Sequence, residues 1–293
     1  MKIVVTGDAG FIGSHIADRY RELGHDVKGI DIRNRKSLDI TDFPAMRKFF
    51  AKEKPDIVNH HAGLIEVVKS LADPDPVMRT NVLGTANLLR AAGACGTVKK
   101  FIFPSSYTVY GDAATLPADE STPIAPLSPY GLSKAMAEEA IRFWSRHFGF
   151  SHLILRYPNA YGPRQDGTGD IGAIAIFAEL MRNGKKPTIF GDGSKTRDYA
   201  HIEDIVRANE RALKKGKNET VCIGTGRETT DRQIFDAVAN HMRFADGPIH
   251  ALSRPGEVRR IAMSSGKAGE ILGWKAKIRL EDGVRRYISG TDS

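Results

Sequence analysis

Three glycines near the start of the chain constrain the fold most strongly. Residues 7–13 read Gly-Asp-Ala-Gly-Phe-Ile-Gly, a GxxGxxG turn between an apolar segment, Lys2–Thr6, and a helical pattern, Phe11–Leu23. Glycine allows the backbone to approach a phosphate closely, and a helix N-terminus favours its negative charge. A strand, this turn and a helix in that order predict a dinucleotide-binding unit. The residues expected to contact the dinucleotide here are Gly7, Gly10, Phe11, Ile12 and Gly13.

Strand and helix patterns alternate through the first half of the chain. The predicted strands are 2–6, 26–31, 56–60, 99–104 and 151–157. The predicted helices are 11–23, 43–52, 76–94 and 130–148. Alternation of this kind gives βαβ units with right-handed crossovers and a parallel sheet. We therefore expect an α/β protein with a Rossmann-type doubly wound parallel sheet.

An acidic residue ends the second predicted strand, 18 residues after Gly13. A carboxylate at Asp31 can accept hydrogen bonds from the adenosine ribose hydroxyls and would repel a 2′-phosphate. The alternative is an ordinary turn residue. The expected cofactor is therefore NAD rather than NADP, while Arg33, Arg35 and Lys36 follow closely and would soften that preference.

The second half of the chain is less regular. Helical patterns are predicted at 174–182, 204–214 and 230–242, a strand at 220–223, and polar loops at 191–198 and 248–258. We expect residues 1–158 to form the NAD-binding domain, completed by segments near 197–225. Residues 159–196 and 226–293 are expected to form a smaller C-terminal substrate-binding lobe.

Composition excludes several classes of protein. The formal charge of +8 comes from basic residues scattered over many segments, and no DNA-binding spacing accompanies them, so a nucleic-acid partner is not expected. No apolar run approaches the roughly 20 residues that cross a bilayer, so no membrane partner and a cytoplasmic location are expected. Cys95 and Cys222 lie far apart, and the adjacent His60 and His61 would face opposite sides of a strand. No metal site is therefore expected.

Tyr130 and Lys134 are four residues apart in a predicted helix, so they share one face. A nearby ammonium stabilises a phenolate and lowers its pKa from about 10, which makes Tyr130 a candidate general base. Ser105 and Ser106 follow a predicted strand at the sheet edge where ligands bind in open α/β folds. Each pattern alone is also typical of a surface helix or a turn, but their order along the chain favours a catalytic group.

Together these motifs resemble the extended short-chain dehydrogenase/reductases, and among them the NDP-sugar epimerases of the UDP-glucose 4-epimerase type. The resemblance runs along nearly the whole chain. Residues 105–111, Ser-Ser-Tyr-Thr-Val-Tyr-Gly, resemble the SSxxVYG strand end and place the catalytic serine at Ser106. The resemblance implies that Tyr130 is the acid/base and that Lys134 lowers its pKa.

Four further segments resemble parts of the family that contact the cofactor. Residues 39–40 resemble an Asp-hydrophobic pair at the adenine, and residues 60–63 resemble the HxAA segment. Residues 81–85 resemble the NxxGT helix, and residues 157–158 resemble a segment near the nicotinamide. The cofactor contacts implied in addition to the glycine turn are Asp31, Asp39, Ile40, His60, Ala62, Asn81, Tyr130, Lys134 and Tyr157.

Three segments of the second half resemble family motifs that bind substrate. Residues 156–164 resemble RxxNxYGPR at the diphosphate, residues 197–201 resemble RDYxH, and residues 254–257 resemble RxGD with glutamate in place of aspartate. In the family the arginines meet phosphate, which suits a guanidinium, and the acid holds the ribose. The substrate contacts implied are Ser106, Tyr130, Asn159, Arg197, Arg254 and Glu257.

The resemblance implies an isomerase that epimerises a nucleotide sugar, a UDP-hexose, at C4 through a transient 4-keto sugar, with NAD regenerated. Ile261 stands where a bulky residue excludes N-acetyl sugars in the family, so an N-acetylhexosamine is also compatible. The predicted helices 76–94 and 130–148 carry more apolar residues than one core face needs. In the family such helices pair across a dimer, so a homodimer is expected.

Other functions remain open. The short stretch between Asp31 and Asp39 resembles the compact LDIT segment of dTDP-4-dehydrorhamnose reductases, which favours an NDP-4-keto-sugar reductase as the alternative. A 4,6-dehydratase is disfavoured because Tyr107 and Thr108 stand where that group has acids. A non-catalytic NAD(P)-sensing protein is disfavoured because the serine, tyrosine and lysine are all present.

Overall fold

A parallel sheet lies at the centre of the molecule. The computed structural model describes residues 1–34, 38–168 and 171–290. In chain order the strands are β1 (Lys2–Thr6), β2 (Asp26–Ile30), β3 (Ile57–His60), β4 (Lys100–Ser106), β5 (Ser151–Tyr157), β6 (Asn159–Tyr161), β7 (Thr188–Phe190), β8 (Thr196–Arg197), β9 (Tyr199–His201), β10 (Glu219–Cys222), β11 (Thr229–Thr230) and β12 (Ile249–Ala251). Across the described ranges the central sheet has six strands in the order β2-β1-β3-β4-β5-β10, all parallel.

Helices cover both faces of this sheet. In chain order they are α1 (Phe11–Glu22), α2 (Phe43–Glu53), α3 (Val67–Ala72), α4 (Asp75–Met78), α5 (Thr85–Cys95), α6 (Pro129–Phe148), α7 (Ala173–Arg182), α8 (Ile202–Ala212), α9 (Asp231–Met242), α10 (Gly266–Leu272) and α11 (Leu280–Ser289). Ile3 and Val5 pack in one core with α1 and α8, whereas Val4 packs in a second core with α2, α5 and α6. The predicted doubly wound α/β fold is confirmed.

The strand order places a crevice beside β1. The chain leaves β1 through α1 to β2 on one side, and it continues through α2 to β3 on the other side. Thr6 and His60 are register partners at the carboxyl ends of β1 and β3. Because ligands bind where the winding direction reverses, this edge of the sheet is the expected binding site.

The predicted helix over 76–94 is confirmed in its extent, but a π-helical insertion interrupts it. The structure has the short α4, then a π-helical segment, Arg79–Gly84, and then α5; the helix α3 before them was not predicted. The Asn81 side chain accepts a hydrogen bond from Leu64 N (2.8 Å) and donates one to Leu64 O (2.9 Å). A π-helical turn re-aims side chains locally, and such turns are frequent at functional sites.

Short strands build the second lobe. β6 pairs with β9, β7 with β12, and β8 with β11, and a third apolar core joins α7, α9 and α11. The predicted loops 191–198 and 248–258 therefore each contain a short strand. That the sheet binds the cofactor and the smaller lobe binds the substrate stays a prediction. Within the described part of the chain, no helix combines the length and apolarity needed to cross a bilayer.

Candidate active site

A cavity of about 830 Å³ runs from the carboxyl edge of the sheet to the second lobe. It is lined by every residue that the sequence analysis proposed for cofactor or substrate, except His60 and Asn81. The glycine turn and Asp31 lie at one end, and Arg197, Arg254 and Glu257 lie at the other. The structure therefore brings the two predicted sets of residues together around one space.

The glycine turn packs too tightly for side chains. Gly7 has φ of +70°, and a Cβ there would lie 2.7 Å from Ala62 N; a Cβ on Gly13 would lie 2.1 Å from Gly7 O. Gly10 precedes α1, and no side chain caps that helix. The backbone N–H groups at the start of α1 are therefore oriented toward the cavity end, where an anion is stabilised.

Asp31 is held at the end of β2 by backbone donors. Its carboxylate accepts hydrogen bonds from Ala9 N (3.2 Å) and Arg33 N (2.8 Å), and only 8% of the residue is exposed. The Arg33 Nε lies 3.5 Å from Asp31 Oδ1, so this arginine is engaged by the acid. Arg35 and Lys36 lie outside the described residues. Asp39 and Ile40 line the same end of the cavity.

The structure does not bring His60 or Asn81 to the cavity. The His60 ring is buried behind the sheet edge, where Nδ1 lies 2.7 Å from Thr6 Oγ1 and Nε2 lies 2.9 Å from Thr85 Oγ1. Asn81 joins the loop at Leu64 to α6, because it also donates to Ser133 Oγ at 3.0 Å. Both side chains are therefore held by other protein groups and do not line the cavity.

His61, which the sequence analysis did not select, lines the cavity in place of His60. Its ring stacks on Tyr157, with centroids 6.3 Å apart and planes 27° apart. Burial and the charge of Lys134 lower the pKa of His61 to about 3, so the ring stays neutral at physiological pH. Adjacent strand residues face opposite sides, and this register aims the second histidine inward.

Tyr130 and Ser106 both line the cavity. Tyr130 lies in the first turn of α6, which begins where Ser128 caps the helix by accepting from Gly131 N at 3.1 Å. Ser106 ends β4 and accepts a hydrogen bond from Thr108 N at 3.2 Å. Burial raises the pKa of Tyr130 to about 12, and the Ser106 hydrogen bond opposes that rise.

Lys134 lies one turn after Tyr130, and its ammonium donates to Pro104 O at 2.9 Å. Its Nζ also lies 4.6 Å from the centre of the Phe103 ring. Burial lowers the pKa of Lys134 to about 8, and the Glu138 carboxylate opposes that decrease. The expected lowering of the Tyr130 pKa by Lys134 is not seen in this structure, because the ammonium is directed to β4.

A buried ion pair lies beside Lys134 and Ser105. Arg156 Nε donates to Glu138 Oε1 at 2.9 Å, and Arg156 Nη2 donates to Glu138 Oε2 at 2.7 Å. Glu138 is one turn after Lys134, and Arg156 pairs in register with Ser105, the neighbour of Ser106. The pair therefore joins α6 to the ends of β4 and β5.

The end of the cavity next to the second lobe holds a buried guanidinium. Arg197 is 8% exposed, donates to Thr196 O at 2.8 Å, and lies 6.0 Å from the centre of the Tyr107 ring. Over the ranges that the structure describes, no carboxylate lies within 4.0 Å of it. A buried cation without a bonded anion favours a negatively charged ligand.

Two further predicted residues flank this guanidinium. The Arg254 guanidinium lies 3.6 Å from the centre of the Phe190 ring, and Glu257 forms an ion pair with Lys195. Asn159 begins β6, and its backbone N–H donates to Asp198 O at 2.9 Å. Among the described residues, no group of three or more potential ligands could hold a metal ion.

The residues present fit a nicotinamide dinucleotide. The turn at Gly7 and Gly13 leaves no room for a Cβ, and the uncapped start of α1 suits a pyrophosphate. Asp31, 8% exposed, can accept hydrogen bonds from a ribose. Tyr157 and Lys134 line the cavity beside the catalytic group, where the reactive ring of the cofactor would be held.

Residues 3–224 match the model of the NAD dependent epimerase/dehydratase family, and the chain belongs to that family. A protein of Methanocaldococcus jannaschii is 42% identical over 98% of this chain and 97% of its own length, and it is provisionally named a UDP-glucose 4-epimerase. The predicted resemblance to this family is confirmed, as is the NAD-dependent class of enzyme.

Two solved structures are similar over nearly the whole chain. The UDP-glucose 4-epimerase of Thermotoga maritima, solved with UDP-glucose, has a TM-score of 0.94 and 38% identity, with 99% of this chain and 98% of that chain covered. The UDP-glucose 4-epimerase of Thermus thermophilus, solved in complex with NAD, has a TM-score of 0.93 and 33% identity at the same coverage. Both agree with the NAD-binding epimerase that the motifs predicted.

Proposed function

We propose that this protein is an isomerase that inverts C4 of a UDP-hexose, with UDP-glucose and UDP-galactose as its substrates. The observation that carries the proposal is the single cavity in which Ser106, Tyr130 and Lys134 lie between a dinucleotide cradle and the buried Arg197. Similarity over the full chain to UDP-glucose 4-epimerases of known structure supports the same activity.

The chain's own residues handle the proton and the reacting oxygen. NAD, when bound at the glycine turn, supplies reversible two-electron oxidation at C4. Tyr130 takes the proton of the sugar 4-hydroxyl and returns it after the 4-keto sugar has presented its other face. Ser106, which lines the cavity with Tyr130, holds the same oxygen. The Lys134 ammonium, which donates to Pro104 O in this structure, would favour the phenolate when it turns toward Tyr130.

The remaining site residues are proposed to hold the nucleotide. Arg197 and Arg254 bind the diphosphate, with Asn159 beside them, and Glu257 holds a ribose hydroxyl. Anchoring at the diphosphate leaves the sugar free to turn about its linkage, which is what inversion through a ketone requires. The side chains of residues 60 and 81 are not proposed to contact the cofactor, because each is bonded to other protein groups behind the cavity wall.

A reductase of NDP-4-keto sugars is the second candidate. The connection between Asp31 and Asp39 is compact, and both residues line the cavity. Residues 35–37 of this connection lie outside the described ranges. A reductase would consume one reduced cofactor for each product, whereas an epimerase needs only a catalytic quantity.

We also propose a homodimer. The exposed apolar side chains Leu132, Met136 and Phe143 lie along one face of α6, with Leu83 on the adjoining π-helical segment. These four side chains are 41–54% exposed, a patch that pairing of two copies would cover. A cytoplasmic location stays a prediction of the sequence.

The test mixes purified protein with UDP-galactose and a catalytic quantity of NAD and follows UDP-glucose by chromatography. Conversion without net reduction of NAD is the expected result. Tyr130→Phe should abolish turnover and keep NAD bound, whereas Tyr287→Phe, outside the cavity, should keep normal turnover. Near-normal turnover of Tyr130→Phe would remove Tyr130 from its role. Consumption of a reduced cofactor with a 4-keto sugar, and no reaction of UDP-galactose, would favour the reductase.

A further inference from the structure

Lys195 stands between two carboxylates at the substrate end of the cavity. Its ammonium forms an ion pair with Glu257, and its Nζ lies 3.8 Å from Asp231 Oδ2. The side chains of all three are only 15–19% exposed, and all three line the cavity. None of the motifs in the sequence singled out Lys195 or Asp231.

The backbone holds this cluster in place. Asp231 is the first residue of α9, and its N–H donates to Lys195 O at 3.0 Å. Burial raises the pKa of Asp231, Glu257 raises it further, and Lys195 lowers it. The two carboxylates thus repel each other, and the neighbouring charges of Lys195 and Arg197 oppose the rise in the pKa of Asp231.

The same carboxylates act on Arg197, since the charges of Glu257 and Asp231 both favour its ionised form. The four side chains Lys195, Arg197, Asp231 and Glu257 have a formal net charge of zero. Without Lys195 the net charge would be −1, directly where Arg197 is proposed to meet a diphosphate. A negative cluster would repel an anionic ligand over the same short distances.

We propose that Lys195 is a positioning residue for the nucleoside diphosphate: it neutralises Asp231 and Glu257, so that Arg197 can attract the phosphates. This inference rests on the proposed function and deepens it. Lys195 acts on binding and not on the chemistry at C4, because it lies with the substrate-lobe residues while Tyr130 and Ser106 lie at the sheet edge.

The experiment titrates UDP into the NAD-loaded protein by calorimetry, at low and high salt. Lys195→Met should weaken UDP binding about tenfold at low salt, because it removes a charge that neutralises two carboxylates beside the proposed phosphate site. High salt should shrink the difference, because mobile ions screen the carboxylates. Lys195→Arg keeps the charge and should stay within about threefold of the wild type.

Two further variants distinguish a loss of UDP binding caused by the missing charge from one caused by misfolding of the lobe. Lys186→Met removes an equally charged but exposed lysine of the same lobe, outside the cavity, and should leave UDP binding unchanged. Asp231→Asn, added to Lys195→Met, should recover most of the lost affinity, which a misfolded lobe would not do. In turnover, Lys195→Met should raise KM for UDP-galactose about tenfold and keep kcat within about threefold.

The outcomes also distinguish this inference from the proposed function. Equal UDP affinity in wild type and Lys195→Met, or a loss that Asp231→Asn fails to restore, would overturn the inference and leave epimerase activity standing. A wild type that binds no UDP would overturn it as well. UDP binding that falls in Lys195→Met, in a protein that fails to epimerise UDP-galactose, would support the inference and refute the function.

Discussion

The buried pair of Glu138 and Arg156 has an exposed neighbour with which it can be compared directly. Both side chains of the pair are at most 4% exposed, and two hydrogen bonds of 2.7–2.9 Å join them. The next residue, Glu139, pairs with Arg142, which also donates to Glu138 Oε2 at 2.9 Å, but the Glu139 side chain is 76% exposed. Glu138→Gln and Glu139→Gln therefore remove the same charge from adjacent positions of one helix.

The two substitutions should lower the free energy of unfolding by amounts that differ several-fold. Removing one partner of a buried pair leaves the other charge uncompensated, which costs about 3–5 kcal/mol. The amide oxygen of glutamine still accepts one guanidinium hydrogen bond, so we expect about 3 kcal/mol for Glu138→Gln. An exposed pair contributes about 0.2–1 kcal/mol, so Glu139→Gln should cost no more than about 0.5 kcal/mol.

Urea unfolding at pH 7, followed by far-ultraviolet circular dichroism, measures both free energies. Burial raises the pKa of Glu138, but the hydrogen bonds and charge of Arg156 lower it more, so its net shift is downward. A lowered pKa in the folded state adds stability above the unfolded pKa of about 4.3, and that stability is lost as the pH falls. The difference in the free energy of unfolding between wild type and Glu138→Gln should therefore become smaller below about pH 4. Equal losses in the two variants, or a loss below 1 kcal/mol for Glu138→Gln, would refute the reasoning.

Four more outcomes are expected. Gly13→Ala should lose bound NAD, because its Cβ would lie 2.1 Å from a backbone oxygen. Gly247→Ala should keep bound NAD, because a Cβ there would meet nothing within 4 Å. The ratio of nucleotide to protein absorbance in the purified variants measures both outcomes. Asp31→Ser should narrow the preference for NAD over NADP at least tenfold in competitive binding, and an unchanged ratio would contradict its role. Because the pKa of Lys134 is about 8, its ammonium is lost above that pH and kcat should fall there; a profile flat to about pH 10 would argue against it. Phe143→Asp should shift the protein from dimer to monomer in sedimentation, and an unchanged mass would place the interface elsewhere.

The parts of the site that could be predicted are those whose chemistry is local in the sequence. The turn at 7–13 needs glycine because a Cβ at Gly7 or Gly13 would collide with nearby backbone atoms, and Asp31 follows from the end of the next strand. The sequence could not show in this way whether His60 or His61 lines the cavity. Their alternation was correctly expected, but which of the two faces the cavity depends on the register of β3 against β1.

Other features depend on contacts between distant segments. Asn81 is aimed by a π-helical segment that hydrophobic periodicity does not indicate, and it bonds Leu64, 17 residues earlier. The high pKa of Tyr130 comes from burial, which a motif of tyrosine and lysine at i and i+4 does not reveal. Lys195 and Glu257 meet across 62 positions of the chain, so neither predicts the other.

The last strand of the sheet has a consequence for synthesis on the ribosome. β10 pairs with β5, but about 60 residues separate Tyr157 from Glu219 in the chain. At roughly 5–20 residues per second, the growing chain carries β5 as an open edge for several seconds after the dinucleotide cradle has been made. Exposed strand edges are templates for pairing with other chains. A nascent chain stalled in this interval would therefore be prone to aggregation through the open edge of β5.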